Sequence, residues 1–319
     1  MNKKVCVVGA GHWGKNHIKT LYAMDCLKGV VELKKDKAQF IENLYKGVKI
    51  YSKIEDAISD DFDAFVVATP AETHFAISKK IIKSKKPVLI EKPMTLSIRD
   101  AKKIIQLAKD NNVNVMVGHV LLFHPAIRKI KEMIEDNTIG KLQYIYSNRL
   151  NLGKIRTEEN VFWSLAPHDI SIFQYLTNSY PVKIQATGSI FLQKGIHDST
   201  MTSFEYDNGI KGHIFVSWLH PFKEHRLVVI GSEAMISFED SKNDKPLTLY
   251  SKKIDLSSGV PEKIEGDTKK ISYEKKSPLN IELEYFLKHL YSQKPSIADM
   301  YDGFNTVKIL VEAGNQLIK

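Results

Sequence analysis

Gly9-Ala10-Gly11-His12-Trp13-Gly14 constrains this chain more than any other stretch. It follows an unbroken apolar run, Val5 to Val8, and leads into a helical pattern over His12 to Met24. A strand, a tight glycine turn and a helix in that order form a phosphate cradle. Gly9 makes the turn, Gly11 lets backbone approach a pyrophosphate, and Gly14 lets the helix pack closely on the strand. His12 and Trp13 lie inside the same turn, where the amides of the helix N-terminus face the ligand.

The pattern repeats through the first third of the chain. Apolar runs at Gly29 to Leu33, Ala64 to Ala68, Val88 to Ile90 and Val113 to Val117 are continuous rather than alternating, as strands covered on both faces require. Helical patterns over Lys37 to Lys46, Glu72 to Ser84 and Ile98 to Asn111 separate them. The expectation is an α/β fold whose residues 1–120 form a Rossmann domain, a doubly wound parallel sheet. Glu32, at the end of the second strand, suits the ribose hydroxyls of NAD and would repel the 2′-phosphate of NADP; Lys34 and Lys35 beyond it are read as surface. Thr69-Pro70-Ala71-Glu72-Thr73-His74 leaves the fourth strand over the cofactor position, so Thr69, Pro70 and His74 join the cofactor set. Glu91-Lys92-Pro93 ends the next strand in the same way and delivers a lysine to that end of the sheet.

Residues 121–319 change character. A helix over about Pro125 to Asp136 is followed by alternating strands such as Leu142 to Ser147, expected to form a large, mostly antiparallel sheet in an α+β substrate and oligomerisation domain. Asn208-Gly209 predicts a type I′ hairpin turn between Met201 to Tyr206 and Ile210 to Val216. Ser257 to Lys270 reads as a mobile loop, and Ser277-Pro278 opens an amphipathic helix over Ile281 to Leu290. An antiparallel sheet with one face uncovered suggests pairing of subunits through that face.

The net charge of +9 invites a nucleic-acid reading, but only five of the 46 basic residues are arginine, and the lysines are scattered without interleaved aromatics. The reading is therefore no nucleic acid and a lysine-biased surface. No run approaches the ~18 apolar residues of a membrane span, and the first residues lead straight into a strand pattern, so no membrane association and a cytoplasmic location are expected. Cys6 and Cys26 have no paired spacing, and His119 and His124 lie five apart without a metal-binding motif, so no metal is expected. His119 is read as a strand-end residue that could reach the cleft.

With these motifs in this order, the whole chain resembles the Gfo/Idh/MocA family of NAD(P)-dependent sugar oxidoreductases. The stretch from Asn151 to Asp169 is most similar to the branch that oxidises the 3-hydroxyl of UDP-linked N-acetylated sugars ahead of an aminotransferase. The resemblance implies that Lys92 hydrogen-bonds the reacting hydroxyl, with Glu91 beside it at the cofactor, and that His168 removes the proton. It also implies that a UDP-sugar is the small-molecule partner. From the residues themselves, His168 follows Pro167 at the expected start of a helix over Asp169 to Leu176, whose positive end would keep its imidazole neutral. Arg149, Lys154 and Arg156 cluster before it and are expected to grip an anion, with Asn160 and Trp163 near the sugar. Many family members carry aspartate four residues before this histidine; Ser164 stands there instead, which disfavours an inositol-type polyol dehydrogenase. A free-sugar dehydrogenase, a ketoreductase and a non-catalytic NAD-sensing regulator are the other readings.

Overall fold

A computed structural model describes residues 3–291 and 293–317. The chain divides into two compact units, one running to Phe123 and including Lys276–Lys308, the other His124–Lys275 together with the chain from Ile309.

In the first unit, β1 (Val5–Val8), β2 (Leu27–Val31), β3 (Lys49–Tyr51), β4 (Ala64–Val67), β5 (Val88–Glu91) and β6 (Val115–Gly118) form one sheet. Its order is β3-β2-β1-β4-β5-β6, and every pairing is parallel. The four-residue runs of β1, β4, β5 and β6 are buried throughout, which explains their unbroken apolar sequence. Helices α1 (Gly14–Ala23), α2 (Lys35–Leu44), α3 (Ile54–Ile58), α4 (Ala71–Lys83) and α5 (Ile98–Asn111) connect the strands. Ser97 caps α5 by accepting from the Asp100 amide, and Asn112 closes it in the left-handed region. The short β3 and α3 have no counterpart in the apolar-run reading, because three half-exposed residues give too little periodicity.

The second unit begins with α6 (Pro125–Glu135) and then β7 (Leu142–Leu150), α7 (Val161–Thr177), β8 (Pro181–Ser189), β9 (Ser199–Tyr206) and β10 (Lys211–Ser217). It continues with β11 (Glu224–Gly231), β12 (Met235–Glu239), β13 (Leu247–Tyr250), β14 (Lys253–Asp255), β15 (Glu262–Ile264) and β16 (Thr268–Ile271). Eight of these strands form a sheet in the order β16-β13-β12-β11-β7-β10-β9-β8, antiparallel except where β10 runs parallel to β7. Along β7 the buried Ile145, Ser147 and Arg149 alternate with half-buried Tyr144, Tyr146 and Asn148, so one face carries α7 and the other is open.

Two local expectations change. Gly209 has φ +82° while Asn208 has no positive φ, so the hairpin is not type I′. Gly209 N donates to the Tyr206 carbonyl and Asn208 Oδ1 accepts from the Ile210 amide, the pattern of a three-residue loop closed by one left-handed glycine. Ser257 to Lys270, read as a mobile loop, instead contains β15, paired with β14, and part of β16 at the sheet edge. Its solvated side chains carry no apolar alternation, so the pairing was invisible to pattern.

After β16 come α8 (Pro278–Lys288) and α9 (Met300–Leu317). Residues 276–308, which the sequence reading groups with the second domain, pack with the first unit: Val117 N donates to the Ala298 carbonyl, and α8 lies against α1 and a 3₁₀ turn at Val120–Phe123. Leu279, Leu283 and Phe286 supply the buried apolar stripe of α8. Among the described residues, no helix is long and apolar enough to cross a membrane.

Candidate functional site

The glycine turn lies beside the sheet position where strand order reverses, between β1 and β4, the place where doubly wound sheets bind ligands. A Cβ on Gly14 would sit 2.0 Å from the Gly9 carbonyl oxygen, and one on Gly9, at φ +97°, 2.9 Å from the Ala68 carbonyl and the Thr69 methyl. Both must therefore be glycine. Around Gly11 a Cβ would meet nothing within 4 Å, so that side of the turn is open toward the α1 N-terminus. The amides of a first helical turn have no intrahelical acceptors and are available to a phosphate. His12 and Trp13 are exposed there.

Glu32 accepts from the Ala10 amide at 2.9 Å and, with its other oxygen, from the Lys34 amide at 2.9 Å. The carboxylate is thus fixed at the lip of the turn, where it suits ribose hydroxyls and opposes a phosphate. Lys34 and Lys35 are exposed, as the sequence reading has them. These residues fit NAD.

Thr69 is half-buried and Pro70 exposed at the end of β4; the Thr73 hydroxyl lies 2.7 Å from that of Thr69. His74 is 1% exposed, with Nδ1 2.9 Å from the Pro93 carbonyl and Nε2 2.8 Å from the Thr69 carbonyl. Its nitrogens face protein oxygens, so the ring ties the β4 loop to the β5 loop. The peptide between Lys92 and Pro93 is cis.

Lys92 is half-buried at the end of β5, and its amide donates to the Glu91 carboxylate at 3.1 Å. The other Glu91 oxygen lies 2.7 Å from His17 Nε2 on α1, where His17 is fully buried. In register with Glu91 on β6 is Gly118, where a Cβ would stand 3.0 Å from all three carboxyl atoms. His119 follows, 1% exposed, and burial, reinforced by the charge of Lys92, lowers its pKa to about 3. His119 is therefore a neutral imidazole. The His17–Glu91 pair escaped sequence reading because its members are 74 residues apart; a histidine on an otherwise apolar face of α1 was the one available hint.

In the second unit α7 starts at Val161, capped by Asn160, whose Oδ1 accepts from the Trp163 amide at 3.1 Å. Pro167 lies inside the helix, so His168 sits past its second turn rather than at its N-terminus. The positive helix end acts over one turn, and the expected dipole effect on His168 does not apply. Asn160 begins this helix because it supplies the cap, and Pro167 is tolerated at the loss of one backbone hydrogen bond. Ser164 and His168, four residues apart and both half-buried, share a helix face.

Arg149, expected to meet an anion, is 8% exposed, with Nε 2.7 Å from Asp169 Oδ2 and Nη2 3.0 Å from Oδ1. Burial opposes its charge, but Asp169 more than compensates and raises its pKa. Its fork is closed onto α7, adjacent to His168. His225, opposite Arg149 on β11, has its pKa lowered to about 3 by burial and then by the Arg149 charge. Lys154 is exposed; Arg156 is half-buried, with Nε 3.8 Å from Glu159 and its carbonyl held by Gln193. Trp163 is half-buried against Gly314 of α9. No group of three or more His, Cys, Asp or Glu among the described residues could hold a metal.

Comparison with known proteins accords with this construction. UDP-N-acetylglucosamine 3-dehydrogenase of Acidithiobacillus ferrooxidans is 25% identical over 96% of this chain and 96% of its own length. The scyllo-inositol 2-dehydrogenase (NAD(+)) of Bacillus subtilis is 28% identical over 78% of this chain and 77% of its own. The solved structure of the Acidithiobacillus enzyme superposes with a TM-score of 0.87 at 22% identity, covering 100% of this chain and 98% of that one, a likeness of fold. The model of the oxidoreductase family with an NAD-binding Rossmann fold matches residues 3–119, and that of the GFO/IDH/MocA C-terminal domain matches residues 127–237. With an NAD cradle on a doubly wound sheet and both family models matched in order, the chain belongs to the Gfo/Idh/MocA family of oxidoreductases.

Proposed function

We propose that this protein oxidises the 3-hydroxyl of a UDP-linked N-acetylated sugar, N-acetylglucosamine or its uronate, to the 3-keto sugar. The observation that carries this reading is the end-to-end match, 96% of each chain, to an enzyme named for that reaction. NAD, when bound, accepts the hydride. Lys92, at the carboxyl end of β5, hydrogen-bonds the hydroxyl and His168 takes its proton. A family dehydrogenase acting on inositol is the second reading, favoured by the 28% identity to the Bacillus enzyme and disfavoured by Ser164 one turn before His168.

With Arg149 held by Asp169, Lys154 and Arg156 remain for the anionic diphosphate, and Asn160 and Trp163 stand at the start of α7 for the sugar. Arg156→Ala should raise KM for the UDP-sugar about tenfold with kcat little changed; an unchanged KM removes Arg156 from the substrate site. NADH formation with a panel of UDP-sugars and inositols tests the reading as a whole. Turnover of inositol alone overturns it, and NAD binding without turnover of any substrate favours a regulator. We place the reaction in the cytoplasm, in a homodimer or homotetramer joined through the open sheet face. There Tyr144 hydrogen-bonds His213, and Tyr146 stacks on the same ring at 5.1 Å.

A further inference from the structure

Helix α8 carries an acid that the proposed reaction does not use. Glu282 is fully buried, and neither carboxyl oxygen has a hydrogen-bond partner among the described residues. The elements packed against α8 are α1, which carries His17, and the 3₁₀ turn, which His119 precedes; His17 in turn holds Glu91, next to Lys92 at the end of β5. On α8 itself, Glu284 and Lys288 are exposed.

The two carboxyl groups differ in their donors. Glu91 has His17 Nε2 at 2.7 Å, the Lys92 amide at 3.1 Å and a glycine at position 118 that leaves its carboxyl group room. Glu282 has none of these. A buried carboxylate without a donor is strongly disfavoured, so Glu282 is the carboxyl group that keeps its proton.

We propose that Glu282 is a positioning residue that holds a proton at neutral pH and so keeps a charge out of the interior in which Glu91 orders His17 and the backbone of Lys92. Burial first, and then the charge of Glu91, raises the Glu282 pKa well above the ordinary carboxyl value. A group raised in this way stabilises the fold below its unfolded pKa, and that stability is lost as pH rises through the folded value. Ionising Glu282 puts a negative charge into that interior, which loosens the His17–Glu91 pair and the strand end that carries Lys92. The functional part of this inference rests on the reading of Lys92 as the residue that meets the hydroxyl.

Glu282→Gln, a neutral isostere, is the test, with the full chain loaded with NAD. The infrared difference between wild type and variant at neutral pH should contain the carbonyl band of an un-ionised carboxylic acid, absent from the variant. The variant should melt higher than wild type at neutral pH, where the unfolded wild-type carboxyl is already ionised, with the gap closing near pH ~4 and widening at alkaline pH. The wild type should show an alkaline fall in kcat that is missing from the variant. Absence of the infrared band in the wild type, a variant that melts several degrees lower at neutral pH, or identical alkaline limbs would each overturn the proposal. If no substrate is turned over, the reading of Lys92 fails by itself, and the infrared and thermal measurements still decide the state of Glu282.

Discussion

Lys92 and His168 are held by different means. Lys92 ends a buried strand, with its amide on Glu91, whereas His168 rides in the interior of α7, next to a carboxylate clamped by Arg149. If they handle the hydroxyl proton as proposed, Lys92→Ala and His168→Ala should each lower hydride transfer by at least ~10²-fold with the NAD dissociation constant within a few-fold of wild type. Stopped-flow transfer and cofactor titration check this; loss of NAD binding would make the residues structural. Arg149→Met leaves Asp169 buried without its fork and should destabilise the protein by about 3–5 kcal/mol, whereas Arg149→Met with Asp169→Leu should recover much of that. Denaturant unfolding of the single and double variants decides it. Gly9 and Gly14 were readable because local spacing alone defines the tight turn that requires them. Arg149 was not, because its partner lies 20 residues away and nothing local marks the pair as buried.

At the scale of elements, caps and strand ends determine where side chains point. Asn160 starts α7 seven residues before Pro167, and that moves His168 from a helix end to a helix interior. The proline suggested a start, but a side-chain acceptor for the free amides marks the boundary more strongly. Helix α9 has a reciprocal cap: Asp299 Oδ1 accepts from the amides of Tyr301 and Asp302, and Asp302 Oδ2 accepts from the Asp299 amide. Burial, and then the Asp299 charge, pushes the Asp302 carboxyl up to about 6 from an ordinary 3.8. The stability linked to this group is present below pH 3.8 and lost as pH rises through about 6. Asp302→Asn keeps the acceptor without the charge, so it should raise stability at pH ~7 by roughly 2–3 kcal/mol and lose that advantage near pH 4. Thermal melts of both proteins across this range test it.

For the whole molecule, buried neutral histidines set the acid limit. Burial lowers His119 to about 3 and His124 to about 4, from 6.5. A base depressed in the folded state contributes stability above its unfolded pKa, and that stability is lost as pH falls from 6.5 toward the folded value. Acidification to pH 5 should therefore cost on the order of 1–2 kcal/mol for each, in both units of the chain, and lower the melting temperature well before carboxylates titrate. Calorimetry between pH 7 and 5 checks this, and a flat midpoint would contradict it. The sequence by itself determined the doubly wound sheet, the glycine cradle, Glu32 and the strand end bearing Lys92, because each follows from burial on both faces or from a short backbone geometry. Only the tertiary structure decided that residues 276–308 return to the first unit, that Glu91 pairs with His17, that Arg149 closes on Asp169 and that Glu282 lies fully buried with neither carboxyl oxygen hydrogen-bonded to a described residue. Those outcomes depend on which distant groups share a low-dielectric interior, and neither periodicity nor spacing along the chain encodes that.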